Sequence, residues 1–278
     1  VLSQAVLHAD ETPVKMLEPG NKKTKTAYVW AFATTRWSEV QAVVYDFQPT
    51  RAGEVARAFL DDWGGHLVCD DYGGYKASFK PKDDANNRDI IEVGCWAHSR
   101  RKFVDLVEVQ QSPIAAKAVE YINALYDIER EAKALSAGER KAFRQEKARP
   151  IIDALYEWLV GQRAALTKGT RTARAIDYTL NRWDALIRYL GDGNLPIDNN
   201  WVENQIRPWA LGRSNWLFAG SLRSGQRAAN VMTLIQSAKI NGLDPQAYLR
   251  DLLERLPTAK QADLEALLPH NWQPNGKV

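Results

Sequence analysis

The segment TAYVWAFATT, residues 26–35, decides the fold class, because its β-branched and aromatic residues are typical of a β-strand. QAVLHAD (4–10) precedes it and EVQAVVYDFQP (39–49) follows it, and both are also apolar runs that suit strands. The segment EPGNKKTK (18–25), between the first two runs, has the composition of a turn. The sequence therefore predicts three consecutive strands at the start of the chain.

The next segments alternate between helical and strand patterns. RAGEVARAFLDDW (51–63) has apolar residues at helical spacing, HLVCD (66–70) is a short strand ending in an acid, and RDIIEVGCW (88–96) is a fifth strand after a short helix. This order is typical of a ribonuclease-H-like core, in which three strands form a meander and the others join alongside it through helices. We therefore predict an α/β fold with a ribonuclease-H-like mixed sheet.

A long helical region interrupts this core. The segments 112–135, 150–159 and 175–190 each place apolar residues on one helix face, and Pro150 is predicted to lie in the first turn of its helix. PQAYLRDLLERLP (245–257) is the last predicted helix. The predicted parts are the first part of the core (1–95), a large all-helical insertion (96–195), a return to the core (196–257) and a C-terminal tail (258–278).

The bulk composition limits the possible classes of protein. The chain has 278 residues, two cysteines and a net charge of +3. No disulfide framework follows from two cysteines, and the mild charge permits nucleic-acid binding without requiring it. No apolar run approaches the roughly 20 residues that span a bilayer, and no secretory leader is recognisable, so we expect a cytoplasmic protein. Because the first residue is Val1, we also expect a fragment of a longer protein.

Three acids that are far apart in the sequence are candidates for a metal site. Asp10 ends the first predicted strand and Asp70 ends the fourth, and these strands are neighbours in a ribonuclease-H-like sheet. Glu203 lies on a predicted helix that would pack across that sheet edge. Carboxylates that meet need a cation between them, and their hard oxygen atoms suit Mg²⁺ or Mn²⁺. Taken singly, each aspartate is more often a turn residue or cap, Asp71 is an alternative to Asp70, and Glu203 with Arg207 has the spacing of a surface pair.

Six motifs follow one another along the chain: LHADETPV (7–14), LVCDDYGGY (67–75), CWAHSRRKF (95–103), IDNNWVENQIRP (197–208), GRSNWLFAGS (212–221) and KINGLDPQAYL (239–249). Taken in this order, they resemble the catalytic half of the insertion sequence 66 family of DDE transposases. The resemblance extends from about residue 7 to about residue 257. It implies a ribonuclease-H-like fold with a helical insertion, and DNA transposition that uses a divalent metal.

The resemblance assigns roles to single residues. It places the three catalytic, metal-binding acids of the family on Asp10, Asp70 and Glu203 and implies two Mg²⁺ or Mn²⁺ ions. The chain departs from the family pattern at Asn204 and at Ser214, where arginine and lysine are more usual. Both departures remove a positive charge that could contact DNA, and neither affects the proposed metal ligands.

The motif IDNNWVENQIRP (197–208) predicts the start of a helix. Asp198 is a good N-cap residue, because its side chain can accept a hydrogen bond from a free backbone N–H group. Val202 and Ile206 are four residues apart and are predicted to bury against the sheet. Pro208 is predicted to bend or end the helix, because proline lacks the N–H group and clashes with the preceding turn.

Basic and aromatic residues near the motifs are candidates for DNA contacts, because arginine and lysine supply most phosphate contacts. Arginine beside an exposed aromatic ring also suits a flipped or frayed DNA end.

Leu217 and Phe218 are predicted core residues. A solvated helix start explains the basic run 98–102 equally well, and Cys95 with His98 lacks the second pair that a zinc site needs. The candidate DNA-binding residues are Arg100, Arg101, Arg207, Arg213, Trp216 and Arg227.

Together, the pattern and the resemblance predict a bacterial DNA transposase that cleaves the 3′ ends of an insertion sequence and transfers them to target DNA. Its expected partners are the element ends, target DNA, further copies of the same chain and accessory proteins of the element. Two alternatives remain open at this stage. One is a ribonuclease-H-like nuclease that cuts without joining, and the other is a non-catalytic DNA-binding remnant of a truncated transposase.

Overall fold

The computed structural model describes residues 1–18, 20, 22–80 and 89–274. Pro19 and Asn21 of the predicted turn, Arg88 of the predicted fifth strand and residues 275–278 of the predicted tail lie outside the described residues. The chain folds into two compact units. The first unit comprises Val1–Leu67, Tyr72–Ile90 and Trp201–Val278, and the second comprises Val68–Asp71 and Ile91–Asn200.

The strands form one five-stranded mixed sheet in a mixed α/β fold. The strands are β1 (Val6–Met16), β2 (Lys25–Thr34), β3 (Val43–Gln48), β4 (Gly65–Val68) and β5 (Ile90–Val93), and their order across the sheet is β3-β2-β1-β4-β5. β1 pairs antiparallel with β2, and β2 pairs antiparallel with β3, so the predicted meander is present. The helix α1 (Gly53–Phe59) and the 3-10 helix Gly73–Phe79 also occur where the sequence predicts helices.

β1 is longer than predicted, and Asp10 lies inside the strand rather than at its end. β2 pairs with β1 without interruption from Leu7 to Met16, and this pairing extends the strand. Asp10 is opposite Ala31 in this register. Pro13 is tolerated because β4 has only four residues and starts beside Ala5, so the later part of β1 extends beyond it.

Two long helices cover one face of the meander. They are α7 (Asn200–Trp216) and α8 (Leu222–Ile240). Val202 and Ile206 of α7 are buried in the same core as the sheet residues, as predicted. The sheet contributes small side chains such as Ala31 and Ala33, which let the helices approach closely. Gly225 of α8 belongs to this contact, because a Cβ atom there would overlap the ring of Phe47.

Polar side chains of α8 satisfy the backbone of the edge strand β3. The Ser237 hydroxyl accepts a hydrogen bond from Val43 N (3.1 Å) and donates one to Val43 O (3.0 Å). Thr233, one turn earlier, accepts from Tyr45 N (2.9 Å). Asn241, the C-cap residue one turn later, donates to Gln41 O (2.7 Å). An exposed strand edge is a template for unwanted pairing, and α8 removes this hazard by covering the edge.

The opposite face of the sheet is packed by aromatic rings. Phe32 of β2 stacks on Phe59 of α1 with ring centroids 3.8 Å apart. Trp30, which is fully buried, meets Tyr75 of the 3-10 helix edge to face at 5.8 Å. α1 approaches the 3-10 helix so closely that a Cβ atom on Gly53 would overlap a backbone carbonyl. This packing fixes the chain that directly follows Asp70 and Asp71.

The second unit is mainly helical. Apart from the residues of β4 and β5, it contains amphipathic helices whose buried residues recur at helical spacing. No helix in the described ranges is long and apolar enough to cross a membrane. The helices are α2 (Trp96–Gln110), α3 (Pro113–Glu131), α4 (Ala137–Ala165), α5 (Arg171–Asn181) and α6 (Trp183–Ile187), with short 3-10 helices at Ala132–Ala134 and Arg188–Gly191.

Pro150 lies inside α4, and the prediction that it begins a helix is wrong. The polar residues before it gave no sign of a buried face, yet Arg140 and Arg144 are buried in line with Ile152 and Leu155. Packing on this continuous face outweighs the hydrogen bond that proline removes.

The two buried arginines of α4 organise the loop that leads towards α7. Arg144 is fully buried, pairs with both oxygens of Glu129 (2.7 Å each) and donates to the carbonyl groups of residues 189, 192 and 195 (2.8–3.0 Å). Arg140 donates to Gly193 O (2.6 Å) and Leu135 O (2.5 Å). The guanidinium groups thus satisfy carbonyl oxygens that a loop cannot pair by itself.

The last part of the chain forms a small second core in the first unit. Helix α9 (Pro245–Arg255) begins at the predicted residue, is capped by Asp244, and is followed by the 3-10 helices Leu256–Thr258 and Gln261–Leu267. Tyr248, Leu267 and Trp272 are buried together. Burial raises the pKa of Tyr248 to about 12, so its hydroxyl stays protonated and donates to Leu267 O (2.9 Å).

We expect Arg144→Leu to lower the free energy of unfolding by about 3–5 kcal/mol, because the change leaves a buried carboxylate and several carbonyl groups without a partner. The control is Arg149→Leu on the same helix, where Arg149 forms only a partly exposed pair with Asp153 at 3.6 Å. It should change stability by less than about 1 kcal/mol. Urea unfolding measures both, and equal effects would contradict the role given to Arg144.

We expect Ser237→Ala to cost about 1–3 kcal/mol of unfolding free energy, because the buried Val43 N–H and C=O groups lose their partner. Asn230→Ala, at an exposed position of the same helix, should change stability by at most about 0.5 kcal/mol. Thermal and chemical unfolding of the two variants gives the comparison. A Ser237 variant as stable as the wild type would show that the edge of β3 needs no cover.

Candidate functional site

Helix α7 carries Glu203 and is hydrogen-bonded to the sheet near both of its ends. Trp201 Nε1 donates to Thr34 O (2.8 Å), and Arg213 Nη1 donates to Pro13 O (2.7 Å). Thr34 is the register partner of Leu7, so the two contacts lie at opposite ends of the Leu7–Pro13 stretch of β1. The helix therefore follows β1 along the part of the strand that contains Asp10.

Asp10 and Glu203 lie on the same side of the sheet. Side chains alternate along a strand, so Asp10 shares a face with Val14 and Met16, which belong to the core that α7 covers. Glu203 is half-buried and lies beside the buried residue Val202. Two of the three predicted acids thus lie between the points where α7 is bonded to the sheet.

Pro208 does not end α7, which continues to Trp216, so the prediction of a helix end there is wrong. Trp209, the next residue, is buried and meets Tyr45 edge to face with centroids 5.8 Å apart. The Tyr45 hydroxyl donates to Gln205 O (2.5 Å), and burial raises the pKa of Tyr45, so the hydroxyl remains a donor. These contacts hold the helix onto the sheet on both sides of the proline, although Pro208 cannot donate to the preceding turn.

Glu11, the neighbour of Asp10, is a structural acid on the opposite face. Its side chain is only 1% exposed and accepts hydrogen bonds from Arg51 Nε (2.7 Å) and Tyr75 Oη (2.7 Å). The Arg51 guanidinium also stacks on Tyr72, 3.8 Å from the ring centroid. Sequence reasoning missed this cluster, because an arginine forty residues away gives no local signal. The cluster ties the YGGY turn to β1 beside Asp10.

In the second unit, Arg182 holds the chain that follows β4. Its guanidinium is nearly buried, forms ion pairs with Asp71 and with Glu92 Oε1 (2.6 Å), and donates to the backbone oxygen of Asp70 (3.4 Å). Burial alone would lower the pKa of Arg182, but the carboxylates of Glu92 and Asp71 raise it above its usual value. Asp70 follows the end of β4, close to the predicted position, and Asp71 has a structural partner of its own.

Arg182 also separates two helices that were predicted to be one. The single helix predicted over 175–190 is wrong, since α5 ends at Asn181 and α6 begins at Trp183. Arg182 itself has the non-helical angles φ −111° and ψ 11°. The helix breaks where this side chain forms its ion pairs, and a sequence pattern cannot reveal such distant partners.

Asp198 holds the segment that leads into α7. It was predicted to be the N-cap residue, but it lies one residue before the N-cap position, because the helix begins at Asn200. Its Oδ1 accepts from Asn200 N (3.0 Å), and its Oδ2 accepts from the hydroxyl of Tyr126 (2.9 Å). Burial raises the pKa of Tyr126, and the Asp198 carboxylate raises it further, so the tyrosine remains protonated. The helix begins at Asn200, two residues after Asp198.

Arg100 and Arg101 line an open basic cleft of about 520 Å³ in the second unit. Arg130 and Asn200 also line it, and Arg100 Nε donates to Asn123 Oδ1 (2.7 Å). Arg101 is exposed. A cleft with three guanidinium groups is suited to phosphate.

Leu217 and Phe218 are exposed, and the prediction that they belong to the core is wrong. Leu217 is 61% exposed, and Trp216 and Phe218 are each 41% exposed. The loop between α7 and α8 turns outward at Leu217, whose φ of 65° is unusual for a residue with a side chain. The candidates Arg207 and Arg227 are exposed as well, whereas Arg213 is half-buried and bonded to β1.

Cys95 and His98 are close in the second unit, with His98 Nδ1 and Cys95 Sγ 3.2 Å apart. Asn199 N also donates to the same sulfur (3.2 Å). The pair therefore links the start of α2 to the segment that leads into α7, a contact that the C-x-x-H spacing did not indicate.

Comparison with known proteins decides the family. Residues 1–227 match the model described as "Transposase IS66 family", and residues 233–270 match the model of the "IS66 C-terminal element". The chain belongs to the IS66 transposase family. The acids of this IS66 chain that lie on one face of the sheet, Asp10 and Glu203, both fall within the first match.

Three relatives of the IS66 chain are uncharacterized proteins of Sinorhizobium fredii. The proteins y4jD, y4hP and y4qI are each 36% identical to it, in alignments 279, 285 and 273 positions long that cover 98%, 96% and 96% of this chain. The same alignments cover 55%, 50% and 51% of the relatives, so the chain spans about half their length. No solved structure matches the IS66 chain significantly.

We expect Glu11→Gln to lower the unfolding free energy of the IS66 chain by about 1.5–3 kcal/mol, because it removes a charge-assisted hydrogen bond from a buried pair. Glu18→Gln is the control, since Glu18 forms an exposed pair with Lys25 at 3.7 Å and should contribute less than about 1 kcal/mol. Chemical unfolding without added metal measures both. Equal stability of Glu11→Gln and the wild type would contradict the structural role of Glu11.

Proposed function

We propose that the chain is the catalytic part of a DDE transposase with a ribonuclease-H-like core, in which Asp10, Asp70 and Glu203 bind divalent metal. Its reaction would be hydrolysis at the 3′ ends of an insertion sequence, followed by transfer of those ends to target DNA. The observation that carries the proposal is the position of α7. Two hydrogen bonds to the sheet hold the helix along β1, and Glu203 lies on the same face as Asp10.

The three acids suit the metal that this family generally uses. Their carboxylate oxygens are the hard ligands that Mg²⁺ and Mn²⁺ prefer. Two bound ions would supply activation of a water or 3′-hydroxyl group and stabilisation of the leaving oxygen. The neighbouring acids support this choice of ligands, because Glu11 is bonded to Arg51 and Tyr75, and Asp71 is paired with Arg182.

The protein's own residues would position the reactants. The cluster of Glu11, Arg51 and Tyr75 holds β1 and the turn after β4, so Asp10 sits on a rigid strand. Arg182 holds the backbone of Asp70 in the second unit. Fixed ligands need no reorganisation when charge develops on the phosphate, which is the main contribution of a rigid site.

DNA would be bound along the basic residues, because each arginine that neutralises a phosphate releases a counterion. Arg100 and Arg101 would contact the backbone at their cleft, and the exposed Arg207 would do so beside Glu203. Arg213 would contact a phosphate while it keeps its hydrogen bonds to β1. The remaining proposed DNA contacts are Arg227 and Trp216.

We also propose that several copies of the chain act together on the element ends and target DNA, with accessory proteins of the element as further partners.

The test is Mn²⁺-dependent cleavage of an end-labelled duplex carrying an element end. Glu203→Gln keeps the shape of the side chain and removes its charge, so we expect the cleavage rate to fall by about 100-fold or more. This loss is larger than the one expected for a residue that only hydrogen-bonds to a metal ligand. Asp70→Asn should act in the same way, while Asp71→Asn should retain cleavage at temperatures where it remains folded. Chelation of the metal should abolish the activity of the wild type.

Glu254→Gln is the matched control, because Glu254 is an exposed glutamate on α9. This variant should cleave DNA at the wild-type rate. Equal cleavage by wild type and Glu203→Gln would disprove the assignment of Glu203. A second assay, in which a pre-cut end is joined to a plasmid, tests strand transfer. Cleavage without joining would indicate a nuclease, and DNA binding without cleavage would indicate a non-catalytic remnant.

A further inference from the structure

An apolar groove of about 440 Å³ lies in the first unit, between the second half of α7, the loop 217–221 and α8. Trp216 and Phe218 form part of its wall, and both are 41% exposed. Small residues, among them Gly220 and Gly225, line it as well. Large exposed aromatic side chains beside an apolar depression mark a surface that binds something.

The rings that line this groove are held in place by a fixed loop. Trp216 meets the buried Trp209 edge to face, with centroids 6.2 Å apart. The loop is bonded to the end of β1, since Ala219 N donates to Lys15 O (2.8 Å) and Leu17 N donates to Ala219 O (2.9 Å). Leu217 adopts a left-handed conformation at the outward turn. A strained residue in a fixed loop is typical of a binding site, and here it keeps two aromatic rings at the surface.

The sequence around the groove is strongly basic. Residues 204–243 contain four arginines and one lysine, and no aspartate or glutamate. Arg223 and Arg227 are exposed and one turn apart on α8, which also supplies Ser224 and Gly225 to the groove lining. A partner for this surface therefore combines negative charge with flat apolar rings.

Unpaired nucleotides have this combination, because each carries a phosphate and a base with two free ring faces. In a duplex, the ring faces are hidden by stacking, so a protein can contact only the phosphates, the sugars and the base edges in the grooves. We propose that the groove binds unpaired nucleotides of single-stranded or frayed DNA, with bases stacked on Trp216 and Phe218 and phosphates at Arg223 and Arg227. The inference rests on the proposed function for its choice of DNA as the anionic partner.

The experiment measures binding of a fluorescein-labelled oligothymidylate by fluorescence anisotropy, with a blunt duplex of equal length as the second probe. We expect the wild type to prefer the single strand, and Trp216→Ala and Phe218→Ala each to bind it about tenfold more weakly. The affinity of these variants for the blunt duplex should change little. Trp216→Phe keeps a ring and should retain most of the affinity. Arg223→Gln and Arg227→Gln should each reduce the slope of the logarithm of the binding constant against the logarithm of the salt concentration by about one.

Tyr156→Ala is the matched control, because Tyr156 is 44% exposed on α4 of the second unit and lies outside the groove lining. Thermal unfolding of each variant shows whether it is folded. Equal binding of oligothymidylate by folded Trp216→Ala and wild type would overturn the inference. It would also be overturned if Trp216→Ala changed only the self-association of the chain, because the groove would then be an interface between copies.

This outcome is separable from that of the proposed function. Glu203→Gln should bind oligothymidylate like the wild type, since Glu203 is not among the residues that line the groove. If no variant or wild type cleaves DNA but binding still depends on Trp216, the groove assignment stands and the catalytic proposal fails. If cleavage depends on Glu203 while oligothymidylate binding ignores Trp216, only the groove assignment fails.

Discussion

The edge of β3 is the constraint on which the first unit depends. A strand at a sheet edge presents unpaired N–H and C=O groups, and these must find partners or remain open to other chains. Helix α8 provides partners through Thr233, Ser237 and Asn241, which are spaced by one helical turn. Hydrophobic packing alone would not fix the position of α8 along the strand. The hydrogen bonds do so, because each side chain matches one backbone group.

Once α8 covers β3, the adjoining position on the same sheet face belongs to α7. Its burial against the alanine-rich part of the sheet brings the helix close, and the bonds of Trp201 and Arg213 set its position along β1. The same contacts orient Glu203 relative to Asp10. A feature that stabilises the fold therefore also positions the candidate site. This coupling explains why α7 continues through Pro208, since its contacts with the sheet lie on both sides of the proline.

Buried arginines perform the corresponding task in the second unit. Arg144 and Arg140 bind loop carbonyl groups, and Arg182 binds the residues that follow β4. Guanidinium groups suit this purpose, because they carry five donors in a rigid plane and stay charged when buried. Burying such a group is costly unless all its donors are paired. The loops that it binds are consequently held in one arrangement, which is what a site built on loop residues requires.

The sequence by itself determined the order of the five strands, the buried residues Val202 and Ile206, and the start of α9, because these follow from the local spacing of apolar residues. Family motifs identified the three acids as candidates. Only the tertiary structure decided that β1 passes through Asp10, that Pro150 and Pro208 lie inside helices, and that Leu217 and Phe218 are exposed. It also decided which acids are structural, such as Glu11 and Asp71. Each of these outcomes depends on a partner distant in sequence, and the period of a local pattern contains no information about that partner.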